Sequence, residues 1–167
     1  MPYKFKPLPL PEELWDLFAL NPLTGELFWR TKRRGKSRPN GLAGCTSHIS
    51  GYIRLVIKGQ SYRAHRIVRA WVDGKDPGET LLDHVDQNKQ NNQPWNIRPC
   101  TSSQNLANVS KRKGYRLLSK NSTYRKSFRA VICLNRKSIH LGYFATAEEA
   151  RACYVEAKRR LFGEFAP

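Results

Sequence analysis

The chain has no run of 18 or more apolar residues, so no helical membrane span is expected. Its opening stretch, Met-Pro-Tyr-Lys-Phe-Lys-Pro, lacks the apolar core of a secretory leader, which points to a cytoplasmic location. Cysteine is sparse. Cys45, Cys100, Cys133 and Cys153 form no C-x-x-C pair, and this spacing disfavours a structural zinc site. In a reducing compartment they are expected as free, partly buried thiols. Long internal repeats and low-complexity tracts are absent as well. Most telling is the shortage of acid, with 13 Asp and Glu against 30 Lys and Arg, a net charge of +17. Such an excess repels itself unless a polyanion is nearby, and it favours nucleic acid as partner.

What is present fits a folded chain. Its 167 residues suffice for one ordinary domain or two small ones, and an apolar fraction of 40% is enough for a core. The basic residues are clustered. Between Ser110 and Lys137 stand ten Lys or Arg and no acid, and Arg30 to Arg38 holds six more. No basic amphipathic helix accompanies these runs, so a membrane surface is a poorer match than nucleic acid.

Pro11 to Phe18 reads as a short helix, with Pro early, acids in the first turn and Leu14, Trp15, Leu17 and Phe18 as its apolar face. Asn21 to Gly25 is a turn, Glu26 to Trp29 a strand, and 30–38 a loop or exposed hairpin arm. Gly51 to Ile57 and Ser61 to Arg63 read as a hairpin about Lys58-Gly59-Gln60. Ala64 to Val72 fits a helix, with Ile67, Val68, Trp71 and Val72 on one face. Leu81 to Val85 is a short strand, 86–95 a polar, Asn-rich loop, and Asn96 to Cys100 a second strand. Thr101-Ser-Ser-Gln104 is a capping box that opens a helix carrying Asn105 and Asn108. Residues 111–127 read as a linker. Phe128 to Leu134 and Ser138 to Phe144 are strands about an Asn135-Arg-Lys turn. Thr146-Ala-Glu-Glu149 is a second capping box, and Ala150, Cys153, Tyr154, Ala157 and Leu161 form the stripe of a helix packed on a sheet.

One segment carries chemistry. Asp83 and His84 end the first strand of the strand–loop–strand–helix unit, and Asn105 lies one turn past the cap of its helix. Neighbouring strand residues point to opposite faces, so one of the pair can face the helix and the other a substrate. A carboxylate and an amide oxygen suit Mg²⁺ or Mn²⁺, which also takes water and a phosphate oxygen. An imidazole beside them can take a proton from water. An Asp-His pair alone is not diagnostic; the ordered second strand, capping box and Asn105 make it so.

Residues 81–108, with their Asp83-His84, Asn96-Ile97-Arg98 and Gln104-Asn105, resemble the HNH endonucleases and, more narrowly, their phage-type branch. The lead-in segments Asn21 to Trp29, Gly51 to Arg54 and Ala64 to Trp71 resemble those that precede the motif in such proteins. Ile139 to Ala150 and Leu161 to Ala166 resemble a C-terminal module like the sheet-plus-helix DNA-binding domain of plant ethylene-response factors. The resemblance implies an α+β fold with a ββα-metal core. It implies a nuclease domain over 1–110, its core motif at about 81–110, and a small three-stranded sheet plus helix over 111–167. It implies His84 as general base, Asp83 and Asn105 as ligands of one divalent ion, and Asn96 as the residue that braces the loop and orients the His. This sequence departs from the family in having Asn91-Asn92-Gln93 for the usual Asp-Asn-Arg, Ile97 for Leu, and Phe128 for a Trp on the first C-terminal strand. The missing Arg at Gln93 removes a loop or phosphate contact.

The expected activity is metal-dependent hydrolysis of duplex DNA, site-specific and homing-like, by a phage or prophage protein working in its host's cytoplasm. Tandem modules suit a monomer, and no protein partner is indicated. Arg98, Arg116, Arg125, Arg129, Arg136 and Lys137 are the expected DNA contacts, to base edges or to phosphate alone. A non-catalytic DNA-binding regulator on the same scaffold, and an RNA-binding protein using the same charge, are the alternatives. His65 reads as structural, the four Trp as core or anchoring residues, and Asn88, Asn91 and Asn92 as turn formers.

Overall fold

A computed structural model describes residues 6–31, 41–109, 113–118 and 128–166. The basic run at 30–38 and Arg125 therefore lie wholly or largely outside the described residues. The chain divides into two compact units, Met1–Pro99 and Cys100–Pro167. Helices and small antiparallel sheets mix in both, an α+β architecture.

The first unit opens with α1 (Pro11–Leu17), which has Pro at its start and Glu12 and Glu13 in its first turn. The helix was expected to run through Phe18; it stops one residue earlier. Phe18 begins β1 (Phe18–Asn21), which pairs with β2 (Glu26–Trp29). The reason is packing: Phe18 is fully buried and lies opposite Trp29, ring centroids 4.4 Å apart. β3 (Cys45–Thr46), β4 (Ile53–Ile57) and β5 (Gln60–Arg63) form a three-stranded sheet. Lys58 and Gly59, both at positive φ, close the β4–β5 hairpin. The outer face of this sheet carries Arg54, Arg63 and Ser61 with the exposed Val56, whereas Leu55 and Ile57 join the core.

Helix α2 (Ala64–Asp73) follows at once and ends on Gly74 in the left-handed conformation. It buries Ile67, Val68 and Ala70 against Leu14, Phe18, Leu27 and Ile97. Val72, expected on that buried face, is instead 46% exposed, because the buried stripe runs through Ala64, Ile67, Val68 and Ala70. β6 (Leu81–His84) and β7 (Ile97–Cys100) make a two-stranded sheet, anchored to the same core through Ile97 and the half-buried Leu82. Two tryptophans depart from expectation. Trp95 is 61% exposed, since it sits on a 3-10 turn, Pro94–Asn96, whose buried residue is Asn96. Trp15 is also exposed, although its Nε1 donates to Trp71 O.

In the second unit, α3 (Ser102–Ala107) carries the expected capping box, with Thr101 and Gln104 bonded reciprocally. The stretch read as a linker contains a strand, β8 (Tyr115–Leu117). It pairs with β9 (Phe128–Leu134), which pairs in turn with β10 (Lys137–Phe144). Gly114 admits this strand: at φ +75° it abuts the ring of Tyr154, and a Cβ there would come within 2.0 Å of it. Helix α4 (Ala147–Phe162), capped by Thr146 and Glu149, covers one face of the sheet with Ala150, Tyr154 and Phe162. All four cysteines are free; Cys45 and Cys133 are exposed rather than partly buried, because both sit on sheet faces that no helix covers. Among the described residues, no helix is long and apolar enough to cross a membrane.

Candidate active site

Asp83 and His84 are both buried, 7% and 4% exposed, although they stand next to each other on β6. Opposite faces of a strand each need a cover, and each side chain has one. Asp83 Oδ2 accepts from Arg98 Nε at 3.3 Å and Nη2 at 3.2 Å, Arg98 reaching across from β7. His84 turns toward the first turn of α2 and the start of β4. Its ring centroid is 5.1 Å from that of His65, edge-on, and 5.9 Å from that of Tyr52. Tyr52 and His65 complete the triangle at 5.2 Å.

The Asn-rich loop between β6 and β7 is a network of side chains acting as local backbone caps. Asn88 N donates to Asp86 Oδ1, Gln90 N to Asn88 Oδ1, and Gln93 N to Asn91 Oδ1, each a turn closed by a short polar side chain. Asp86 is the hub: its two oxygens also accept from Asn91 Nδ2 at 2.7 Å and Asn96 Nδ2 at 2.9 Å. Burial raises the Asp86 carboxyl, but these amide bonds outweigh it and hold the group below its ordinary value. Asn96 is buried and fastens both ends of the loop, donating to Asn91 O and accepting from Asp86 N. The side chain that meets His84 is a different one. Asn92, 2% exposed, places Oδ1 at 3.1 Å from His84 Nε2.

Two basic groups here differ from their solution behaviour. Burial lowers the His84 pKa, against an opposing rise from the Asn92 bond and the Asp86 and Asp83 charges. Burial also lowers His65, to about 2, with further depression from His84, Arg63 and Arg66. Both rings are therefore neutral at pH 7, as a proton acceptor must be.

The remaining expected residues lie in the second unit. Asn105 is exposed on α3, its backbone N–H bonded to Thr101 O. Arg116 and Arg129 face each other in register on β8 and β9, and Arg129 Nε donates to His140 Nδ1 at 3.4 Å. Arg136, at positive φ, and Lys137 occupy the tip of the β9–β10 hairpin and are exposed. Arg98, expected at a DNA surface, is instead engaged with Asp83 and largely buried.

Sequence reasoning missed Asn92, Asp86, His65 and Tyr52. Nothing in a tract holding Asn88, Asn91, Asn92 and Asn96 marks which one is buried. Asp86, however, could have been suspected as the lone acid in that tract.

An oxygen-rich donor set suits a hard divalent ion, and Asp83 supplies a buried carboxylate for it. Its Oδ2 is shared with Arg98, so an ion would have to take the other oxygen or displace the guanidinium. Among the described residues no three His, Cys, Asp or Glu side chains gather to hold a metal. An ion here would therefore complete its shell with water and phosphate, the usual habit of Mg²⁺.

Residues 62–107 match the family described as HNH endonuclease. The chain is also similar to an uncharacterized HNH endonuclease of Acanthamoeba polyphaga mimivirus, 34% identical over 106 residues, 61% of this chain and 54% of that protein. It thus spans about half the length of this relative. No solved structure matches.

Proposed function

We propose that the chain is a metal-dependent endonuclease that hydrolyses duplex DNA. The observation that carries this reading is the buried, neutral His84, held at Nε2 by Asn92 and adjacent in sequence to a buried carboxylate, within a segment that matches the HNH endonucleases. An amide oxygen against Nε2 keeps the ring proton there, so the basic lone pair is on Nδ1. In our reading that nitrogen takes the proton of the attacking water. The new bond forms between the water oxygen and phosphorus as the bond to the 3′ oxygen breaks, and the 3′ oxygen is then protonated. A bound Mg²⁺ or Mn²⁺ would supply charge stabilisation at the phosphate. Asp83 would hold it, with Asn105 as second ligand by its position in the motif, and Asn96 keeps the loop in shape.

In this reading residues 1–110 cut, and residues 111–167 hold the duplex in the manner of an ethylene-response-factor domain. The sheet face that α4 leaves uncovered carries Arg116 and Arg129 directly opposite each other. Like charges in that relation destabilise a sheet unless an anion lies between them. Arg136 and Lys137 extend the positive surface at the hairpin tip, and Arg125 belongs to the same expected set. A site-specific, homing-like role for a monomer in the host cytoplasm, encoded by a phage or another virus, is the biological form of the proposal.

One observation favours a second reading. The Asp83–Arg98 ion pair neutralises the carboxylate that a metal needs, as would suit a DNA-binding regulator that keeps only the scaffold. Plasmid cleavage with Mg²⁺ or Mn²⁺, with and without chelator, separates the two. Nicked or linear product that vanishes in His84→Ala, while binding persists, supports the nuclease. Binding without cleavage under either metal supports the regulator, and a preference for RNA in competition sinks both.

A further inference from the structure

The first unit has a positive groove of its own, lined by none of the residues expected to hold DNA. It is lined by Lys6, Ser47, Ser50, Arg54, Ser61 and Arg63, among others; no carboxylate is among its described lining residues, and Asp76 pairs with the lining residue Arg66 at 3.8 Å. Arg54 on β4 and Arg63 on β5 are direct cross-strand partners, so their side chains leave the sheet on the same face. Two guanidinium groups in that relation repel each other, and the sheet bears this cost where an anion is to be bound. Both are held in place. Arg54 Nε donates to Ser61 Oγ at 3.1 Å, and Arg63 lies over the Tyr52 ring, its Cζ 4.5 Å from the centroid. Lys89 covers the same ring, with Nζ at 4.9 Å, and its ammonium donates to Ser50 O. Preordered guanidinium groups lose little freedom when they bind, and their planar forks match phosphate oxygens.

The groove also leads somewhere. Tyr52 immediately precedes β4, and its ring, under the Arg63 guanidinium, neighbours both His65 and His84. We propose that this groove is a phosphate-binding track, in which Arg54 and Arg63 grip the backbone of the duplex-DNA strand that is cut at His84. The inference rests on the nuclease reading for what happens at His84, but the binding it claims is measured separately. The Ser47, Ser50 and Ser61 hydroxyls suit the remaining phosphate oxygens, and the Tyr52 ring touches both Arg63 and His84.

The test is duplex binding by the full chain in chelator, where no cut occurs, across a range of salt. Each phosphate contact contributes about 0.9 to the slope of log affinity against log salt. R54Q/R63Q should lower that slope by roughly 2, so the advantage of the unaltered chain shrinks about tenfold between 50 and 200 mM salt. R54K/R63K should keep most of the slope. Ile49→Glu provides a variant that folding cannot confound, since Ile49 lines the groove and is fully exposed; its new carboxylate should weaken binding. Unchanged slope and affinity in both R54Q/R63Q and Ile49→Glu overturn the track. Should the unaltered chain fail to cleave with any metal while the slope still falls, the nuclease reading fails and the groove stands. Should His84→Ala abolish cleavage while R54Q/R63Q binds as before, the reverse holds.

Discussion

Asn92 Oδ1 sits 3.1 Å from His84 Nε2, with both side chains buried. This pairing fixes the ring's tautomer and its orientation, and it comes from a loop otherwise devoted to holding itself together. Asn92→Ala leaves a buried imidazole N–H without its acceptor, a loss of about 1–3 kcal/mol of stability. If His84 is the general base, single-turnover cleavage should fall by roughly a hundredfold, since small misplacements cost that much. Duplex affinity should not move. An unaltered cleavage rate would remove Asn92 from the positioning of His84.

Acid should weaken the first unit through His65. The folded pKa is about 2 and the model-compound value is 6.5, so between those values the unfolded chain takes up a proton that the folded chain refuses. Stability is therefore full above pH 6.5 and falls as pH drops below it. The loss between pH 7 and pH 5 is about 2 kcal/mol from this residue alone, read by urea denaturation at the two pH values. His84 shifts in the same direction and adds to it. His65→Asn should flatten this part of the profile; a profile as steep as before would show that the proton is taken up elsewhere.

The Asp83–Arg98 pair makes a test of metal binding that needs no activity. Arg98→Ala removes the arginine cation from a buried carboxylate, at a cost of up to about 3–5 kcal/mol. A divalent ion on Asp83 would restore part of it, so Mg²⁺ or Mn²⁺ should raise the melting temperature of Arg98→Ala by more than that of the unaltered chain. Asp83→Asn should abolish the metal effect. Equal responses in all three proteins would argue against Asp83 as a ligand.

Gly25 and Gly59 share nearly the same backbone conformation, φ +72° and +78°, but differ in surroundings. A Cβ on Gly25 would fall 2.1 Å from the Asn92 carbonyl carbon, whereas one on Gly59 meets nothing within 4 Å. Gly59→Ala should cost about 1–2 kcal/mol for its left-handed backbone. Gly25→Ala should cost about 1–3 kcal/mol more, because the loop must move. That movement would reach His84 through Asn92. Thermal melts compare the two substitutions, and a shift of the His84 ring resonances in Gly25→Ala alone is the expected signature.

Much of the chain was legible from local chemistry. Thr101 with Gln104, and Thr146 with Glu149, specify helix starts by bonds that span three residues, and both boxes formed. The strand–loop–strand order around Asp83-His84 followed from alternating apolar and Asn-rich stretches. The misses have a common cause. Phe18 continues a helical pattern, yet it is pulled into β1 by a partner, Trp29, eleven positions later. Tyr115 to Leu117 looks like linker because its pairing with β9 and the Gly114–Tyr154 contact are non-local. The pairing of Arg98 with Asp83 on the neighbouring strand is non-local in the same way.

Composition and order alone determined the positive charge, the apolar budget of two small cores, and the motif that brings an acid and an imidazole side by side. Which of several chemically identical amides touches that imidazole, which histidines are buried beside each other, and which arginines stand opposite each other were decided only by the folded chain. Those properties depend on burial and on distance across strands, and residues of one type differ in neither until the backbone has closed around them.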